Sequence, residues 1–165
     1  MRWRLWLKNE KLRGKDFKSY ITKKKIRKIL PSDFLIRGHI LKAEHNLNCA
    51  KALFGLNNFN DWVLVAAYYA IYHAALALCA KKGYATKDHT ATLLILITYY
   101  HQISQEELSF IQQIALHKKD FLTYISVKRQ RQRASYATSF VFSSKEVDIT
   151  RKKAINFVQK ARTLL

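Results

Sequence analysis

The stretch that decides the fold is Trp62–Tyr84, WVLVAAYYAIYHAALALCAKKGY. It is apolar nearly all round as far as Ala80, so a helix built from it belongs at the centre of a bundle or in a membrane. The 19 residues Trp62 to Ala80 just reach spanning length. They include Tyr68, Tyr69, Tyr72, His73 and many alanines, which argue against a membrane span. Alanines permit close helix contact, as a bundle centre or a dimer seam requires. Asn60 or Asp61 is placed to cap the start, and Gly83 stands where a helix-terminating glycine belongs.

Helical signals flank this segment on both sides. A preceding helix is predicted from Ser32 or Asp33, both good caps, to Gly55. Its apolar residues Ile36, Ile40, Ala43, Leu47, Ala50 and Phe54 are spaced 4, 3, 4, 3, 4 and form one stripe. A third helix is predicted over Asp88–His101. A fourth opens on the capping box Ser104/Glu107 and carries Phe110, Ile111, Ile114, Phe121, Leu122 and Ile125. A fifth opens on the box Ser143/Glu146, with Val147, Ala154, Val158, Ala161 and Leu165 as its stripe. No segment alternates with period two, and no internal repeat is present. With four glycines and one proline in 165 residues, many short strands are disfavoured. The predicted class is all-α: an antiparallel bundle of about five helices over residues 32–165, preceded by a basic N-terminal extension, residues 1–31, that closes at Pro31.

Thirty Lys and Arg against eleven Asp and Glu give a net charge of +19. Residues 1–32 hold 12 basic and 2 acidic residues, so a fifth of the chain carries half the charge. A field this dense attracts polyanions, nucleic acid first and an anionic membrane surface second. The extension interleaves aromatic rings with cations. Arg2, Arg4, Lys23, Lys24, Lys25, Arg27 and Lys28 are candidates for phosphate contacts, and Trp3 and Trp6 for stacking on bases. The competing use of Trp3 and Trp6 is as anchors in a lipid interface. The opening MRWRLWLKNE does not read as a secretory signal. Cys49 and Cys79 each sit in an apolar run without metal-ligand spacing, as buried thiols in a reducing cytoplasm would.

Several chemistries lack their signatures. There is no Gly-rich phosphate loop, no HExxH, no CxxC and no cluster of carboxylates, which points away from kinases and metal nucleases and implies no metal or cofactor. Histidine is then the candidate acid–base group. His39 and His45 read as surface residues. His73 reads as a satisfied core histidine. His89, in the first turn of the third helix, is placed either to meet an anion or to brace the preceding loop. In VKRQRQRASYA, Val127–Ala137, a helix would put Arg129 and Arg133 on one face with Tyr136 and turn Arg131 away. Such a face is a platform for phosphate and base, or a pair of arginines snorkelling over a core tyrosine.

The run AAYYAIYHAALALCAKKGY…DH, then RQRASY, then the final helix ending VQKAR resembles the HEPN (higher eukaryotes and prokaryotes nucleotide-binding) domain. The resemblance spans residues 33–165, leaving the basic extension outside. It implies a helical bundle that dimerises and that is frequently paired with a minimal nucleotidyltransferase as its antitoxin. In active relatives it implies a metal-independent ribonuclease using Arg, four to six residues, then His. No arginine here is followed by His at that spacing. Arg131, four residues, then Tyr136 takes its place, with Ser135 where relatives of the Arg–Tyr type often keep Asp. Tyrosine is a poor base at pH 7, so the usual catalytic His is missing. Arg131, Tyr136, His73 and His89 remain the catalytic candidates. The expected function is binding of RNA or a ribonucleoprotein surface by a homodimer; the alternative is the ribonuclease toxin of a toxin–antitoxin pair.

Overall fold

The computed structural model describes residues 2–56, 59–113 and 142–165. Their order is α1 (Arg2–Lys8), α2 (Glu10–Thr22), β1 (Ile26–Lys28), α3 (Asp33–Gly55), α4 (Asn60–Lys81), β2 (Tyr84–Thr86), α5 (His89–Tyr99), α6 (residues 105–113) and α7 (Ser144–Leu164). This is the all-α helical fold expected, with one small two-stranded ribbon added.

Side-chain caps set most helix starts. The Asn9, Ser32 and Asp88 side chains accept from the backbone N–H of Leu12, Leu35 and Ala91. The predicted boxes at Ser104/Glu107 and Ser143/Glu146 both close. At α4 neither predicted cap is used: Phe59 holds the cap position without a side-chain bond. The Asn60 amide instead donates to the Phe142 carbonyl at 2.8 Å, which ties the start of α4 to the start of α7.

Helix α4 is the axis. Its alanines at 66, 67, 70, 74, 75, 77 and 80 are all buried by the chain's own packing. Helices α3 and α4 form an antiparallel pair, bridged by His39 and His73 and packed at one end through Ile36, Ala77 and Ala80. Helix α7 lies on both, with Leu165 packed near Ile36, Ala77 and Ala80. It therefore runs in the same sense as α4. By length and composition alone α4 could cross a membrane, but 67% of its apolar window is buried within the fold.

Helix α5 explains the rest of the architecture. Seven consecutive residues, Ala91 to Ile97, are buried, so it has no polar face to give to water. Its start lies beside Tyr68 and its end beside Leu78, whose carbonyl accepts from the Tyr100 hydroxyl at 2.8 Å. It thus advances along α4 in the same sense, and β2 makes the return. The other side of α5 is covered by α1 and α2. Trp3, Trp6, Phe17 and Ile26 belong to the same hydrophobic cluster as α4 and α5.

The first 31 residues, expected outside the bundle, therefore contribute to its core. The reason is apolar area. A fully buried Trp removes about 150–250 Å² from water, worth up to about 4–6 kcal/mol. Trp6 is 0% exposed. Its indole N–H donates to Asp16 at 2.6 Å, and Asp16 accepts two further bonds from Arg2 at 2.6 and 2.7 Å. The Arg2 bonds and, less strongly, the Trp6 bond hold the Asp16 carboxyl below the usual carboxylate range despite its burial.

Strand β1 pairs antiparallel with β2, Ile26 opposite Thr86 and Lys28 opposite Tyr84. Gly83 makes the turn from α4 into β2 at φ +77°, a conformation that favours glycine. Of the two thiols, Cys79 is buried as expected, whereas Cys49 is exposed on α3.

Candidate functional site

The N-terminal unit sorts its side chains by type. Trp3, Trp6 and Phe17 point inward, while Arg4, Lys8, Lys11, Lys15 and Lys18 are exposed. Trp3 and Trp6 were expected to stack on bases or sit in lipid; at 5% and 0% exposure they are core residues and can do neither. Arg2 is committed to Asp16. Arg4 lies over the Trp3 ring at 5.6 Å. Lys23, Lys24, Lys25, Arg27 and Lys28 are all exposed at the ribbon. Of these Lys25 is paired, with Asp88 at 3.0 Å. Burial opposes ionisation of Asp88, but the Ala91 N–H and the Lys25 ammonium outweigh it and lower its pKa.

A row of aromatic and imidazole rings runs across α3, α4 and α5. His39 meets His73 with their Nδ1 atoms 3.2 Å apart. His73 neighbours Tyr72, ring centroids 6.2 Å apart, and Tyr72 stacks on Tyr68 at 5.8 Å. Tyr72 and His89 are 4.7 Å apart. His39 is half-buried rather than a surface residue, because His73 sits one helix across from it. Sequence spacing relates residues within one helix and gives no sign of a partner 34 residues away. Burial lowers the pKa of both imidazoles, and His39 and Lys42 lower that of His73 further. The pair is thereby kept neutral near pH 7, and one ring N–H can bridge the two nitrogens.

His89 is exposed at the start of α5. The Tyr68 hydroxyl lies 2.9 Å from its Nε2 and 3.1 Å from its Nδ1. One phenol proton serves one nitrogen at a time, and burial raises the Tyr68 pKa so that the phenol keeps it. His89 is thus a positioned imidazole at the mouth of an apolar crevice lined by Ile71, Tyr72, Leu93 and Ile111. Such a group can accept a proton from a ligand or hydrogen-bond an anion. The fold therefore links two of the catalytic candidates, His73 and His89, through Tyr72. The other two, Arg131 and Tyr136, and the binding candidates Arg129 and Arg133, lie outside the described residues. Among the described residues no three His, Cys, Asp or Glu side chains converge as metal ligands would.

No curated protein matches the chain. The sequence model of the HEPN domain matches residues 36–165. That match leaves out α1, α2 and β1 but covers α4, α5, α7 and nearly all of α3, including the whole His39–His73–Tyr72–His89 row. Extending over well more than half of the sequence, it shows that the chain belongs to the HEPN domain family.

Proposed function

We propose that this HEPN-domain protein binds RNA, free or on a ribonucleoprotein surface, through phosphate contacts, and that it does so as a homodimer. The observation that carries the reading is the sorting of the N-terminal unit: aromatic rings inward, cations outward on an ordered scaffold. A fixed array of ammonium and guanidinium groups neutralises phosphates and releases their counterions without first having to order itself. Base stacking by Trp3 and Trp6 drops out, so recognition is by backbone charge and shape rather than by sequence. The test is affinity for a mixed-sequence RNA measured across a salt series. Replacing Lys23, Lys24 and Lys28 together by Gln is expected to weaken binding uniformly across sequences and to lower the slope of log K against log salt by about 2–3. Salt-independent RNA binding, or none, would sink the reading.

A ribonuclease toxin is the second reading, and His89 favours it. An exposed imidazole held by a phenol is the proton-transfer group that a metal-independent nuclease needs. Partnership with a minimal nucleotidyltransferase belongs to that reading. Loss of expression toxicity in both His89→Ala and Arg131→Ala, with folding intact, is its expected signature.

A further inference from the structure

We propose that the β1–β2 ribbon and the helix ends beside it form a single phosphate-backbone site, in which Lys81, Lys82 and Lys87 act together with the cations of residues 23–28. This rests on the RNA-binding reading and extends it to residues more than fifty positions away in the sequence.

The register brings the two sets together. Beyond the paired strands, the Ile29 N–H donates to the Gly83 carbonyl at 2.9 Å, so the ladder continues by one residue. At the other end the Thr86 hydroxyl donates to the Lys25 carbonyl at 2.7 Å. Lys87 follows Thr86 directly and so lies beside Lys25. Lys81 and Lys82 close α4 and lie beside the exit of β1. At about 3.3 Å per strand residue the array is roughly 15–20 Å long. All eight basic side chains along it are exposed. Asp88 is spent on Lys25; Asp33 and Glu44 line a pocket with Lys81, and Glu44 is paired with Arg162. Seven cations remain within one or two Debye lengths of one another, about 8–10 Å each at physiological salt, so they repel and act as one field. A polyanion laid along the ribbon relieves that repulsion.

The backbone of RNA suits this surface better than a membrane does. Lipid interfaces are entered by exposed aromatic anchors, and here Trp3, Trp6 and Phe17 are buried. Tyr84, on β2, is engaged with Phe17 and Tyr99. Leu30 and Phe34, each 89% exposed, lie beyond one end of the array and are the reason for a vesicle arm in the test.

The experiment uses the full chain and a mixed-sequence RNA of about 20 nucleotides, followed by fluorescence anisotropy from about 50 to 200 mM salt. The variant Lys81→Gln/Lys82→Gln/Lys87→Gln is expected to lose tenfold or more in affinity at the low-salt end. Its salt slope is expected to fall by about 2–3, with an unchanged unfolding midpoint. The double variant Lys81→Gln/Lys87→Gln leaves Lys82 over the Tyr100 ring, 5.2 Å away. It repeats the measurement should the triple variant unfold, with a slope change of about 1–2. Wild-type affinity in these variants, with binding still lost in a Lys23/Lys24/Lys28 variant, overturns the single site and leaves the RNA reading standing. Binding to phosphatidylserine vesicles with no binding to RNA overturns both.

Discussion

At the scale of the residue, two polar arrangements, one buried and one half-buried, show how local chemistry is settled by partners far along the chain. Asp16 stands alone among cations in the sequence, yet it is the acceptor that lets Trp6 be fully buried. A buried indole N–H left unpaired would cost about 1–3 kcal/mol. His39 and His73 form the other arrangement, and it carries a pH signature. Both folded pKa values are lowered, chiefly by burial. The unfolded chain therefore binds more protons in acid, and stability rises with pH. The contribution is complete above the ordinary imidazole value of about 6.5 and is lost as pH falls through the lowered folded values. We expect the thermal midpoint of the wild type to drop between pH 7.5 and 5.5 by roughly 2–4 °C more than that of His73→Asn. Parallel pH profiles for the two proteins would contradict this.

At the scale of the element, the ribbon depends on Gly83. Its φ of +77° is strained for any other residue, and an added Cβ would stand 3.1 Å from the Ile29 carbonyl oxygen, which belongs to the connection after β1. Gly83→Ala is expected to cost roughly 1–2 kcal/mol, read as a lower denaturation midpoint in urea with an unchanged m-value. A midpoint equal to the wild type would show that the turn relaxes freely. Helix α5 carries the more general lesson. Its bounds, predicted as Asp88–His101 and observed as His89–Tyr99, were nearly legible, but its surroundings were not. The run TLLILI, Thr92–Ile97, has no polar stripe, and a helix without one needs cover on every side. Four bundle helices cannot supply that cover, and α1 and α2 complete it. The signal was present in the sequence, in α5 rather than in the basic segment itself.

At the scale of the whole molecule, the basic segment is both part of the fold and the proposed binding surface. Deleting residues 1–31 would strip Trp3, Trp6, Phe17 and Ile26 from the main core cluster. Large-to-small losses at single core sites already cost about 3–5 kcal/mol for an aromatic, against a typical total stability of about 5–15 kcal/mol. The truncated chain is expected to lose cooperative thermal unfolding and to aggregate, as circular dichroism and gel filtration would show. A soluble, cooperatively folding 32–165 fragment would refute the shared core. For the same reason deletion cannot test RNA binding, whereas charge substitutions on the surface can.

Patterns along the chain were enough for the helical class, the caps at Ser32, Ser104 and Ser143, the central place of α4 and the chain's likeness to the HEPN domain. The class, the caps and the place of α4 follow from periodicity and from hydrogen bonds that close within three or four residues, so neighbours along the chain suffice to specify them; the likeness rests on the motifs of α4, α5 and α7. What those elements share came from packing between them. That packing put Trp3 and Trp6 inside, paired His39 with His73, set Tyr68 against His89, and brought Lys81, Lys82 and Lys87 beside the cations of β1. Each of these relates residues ten or more positions apart in the sequence. Helical periodicity says which face is apolar but not which element will cover it; that is settled by where the remaining apolar area, most of all that of α5, finds enough partners to leave water.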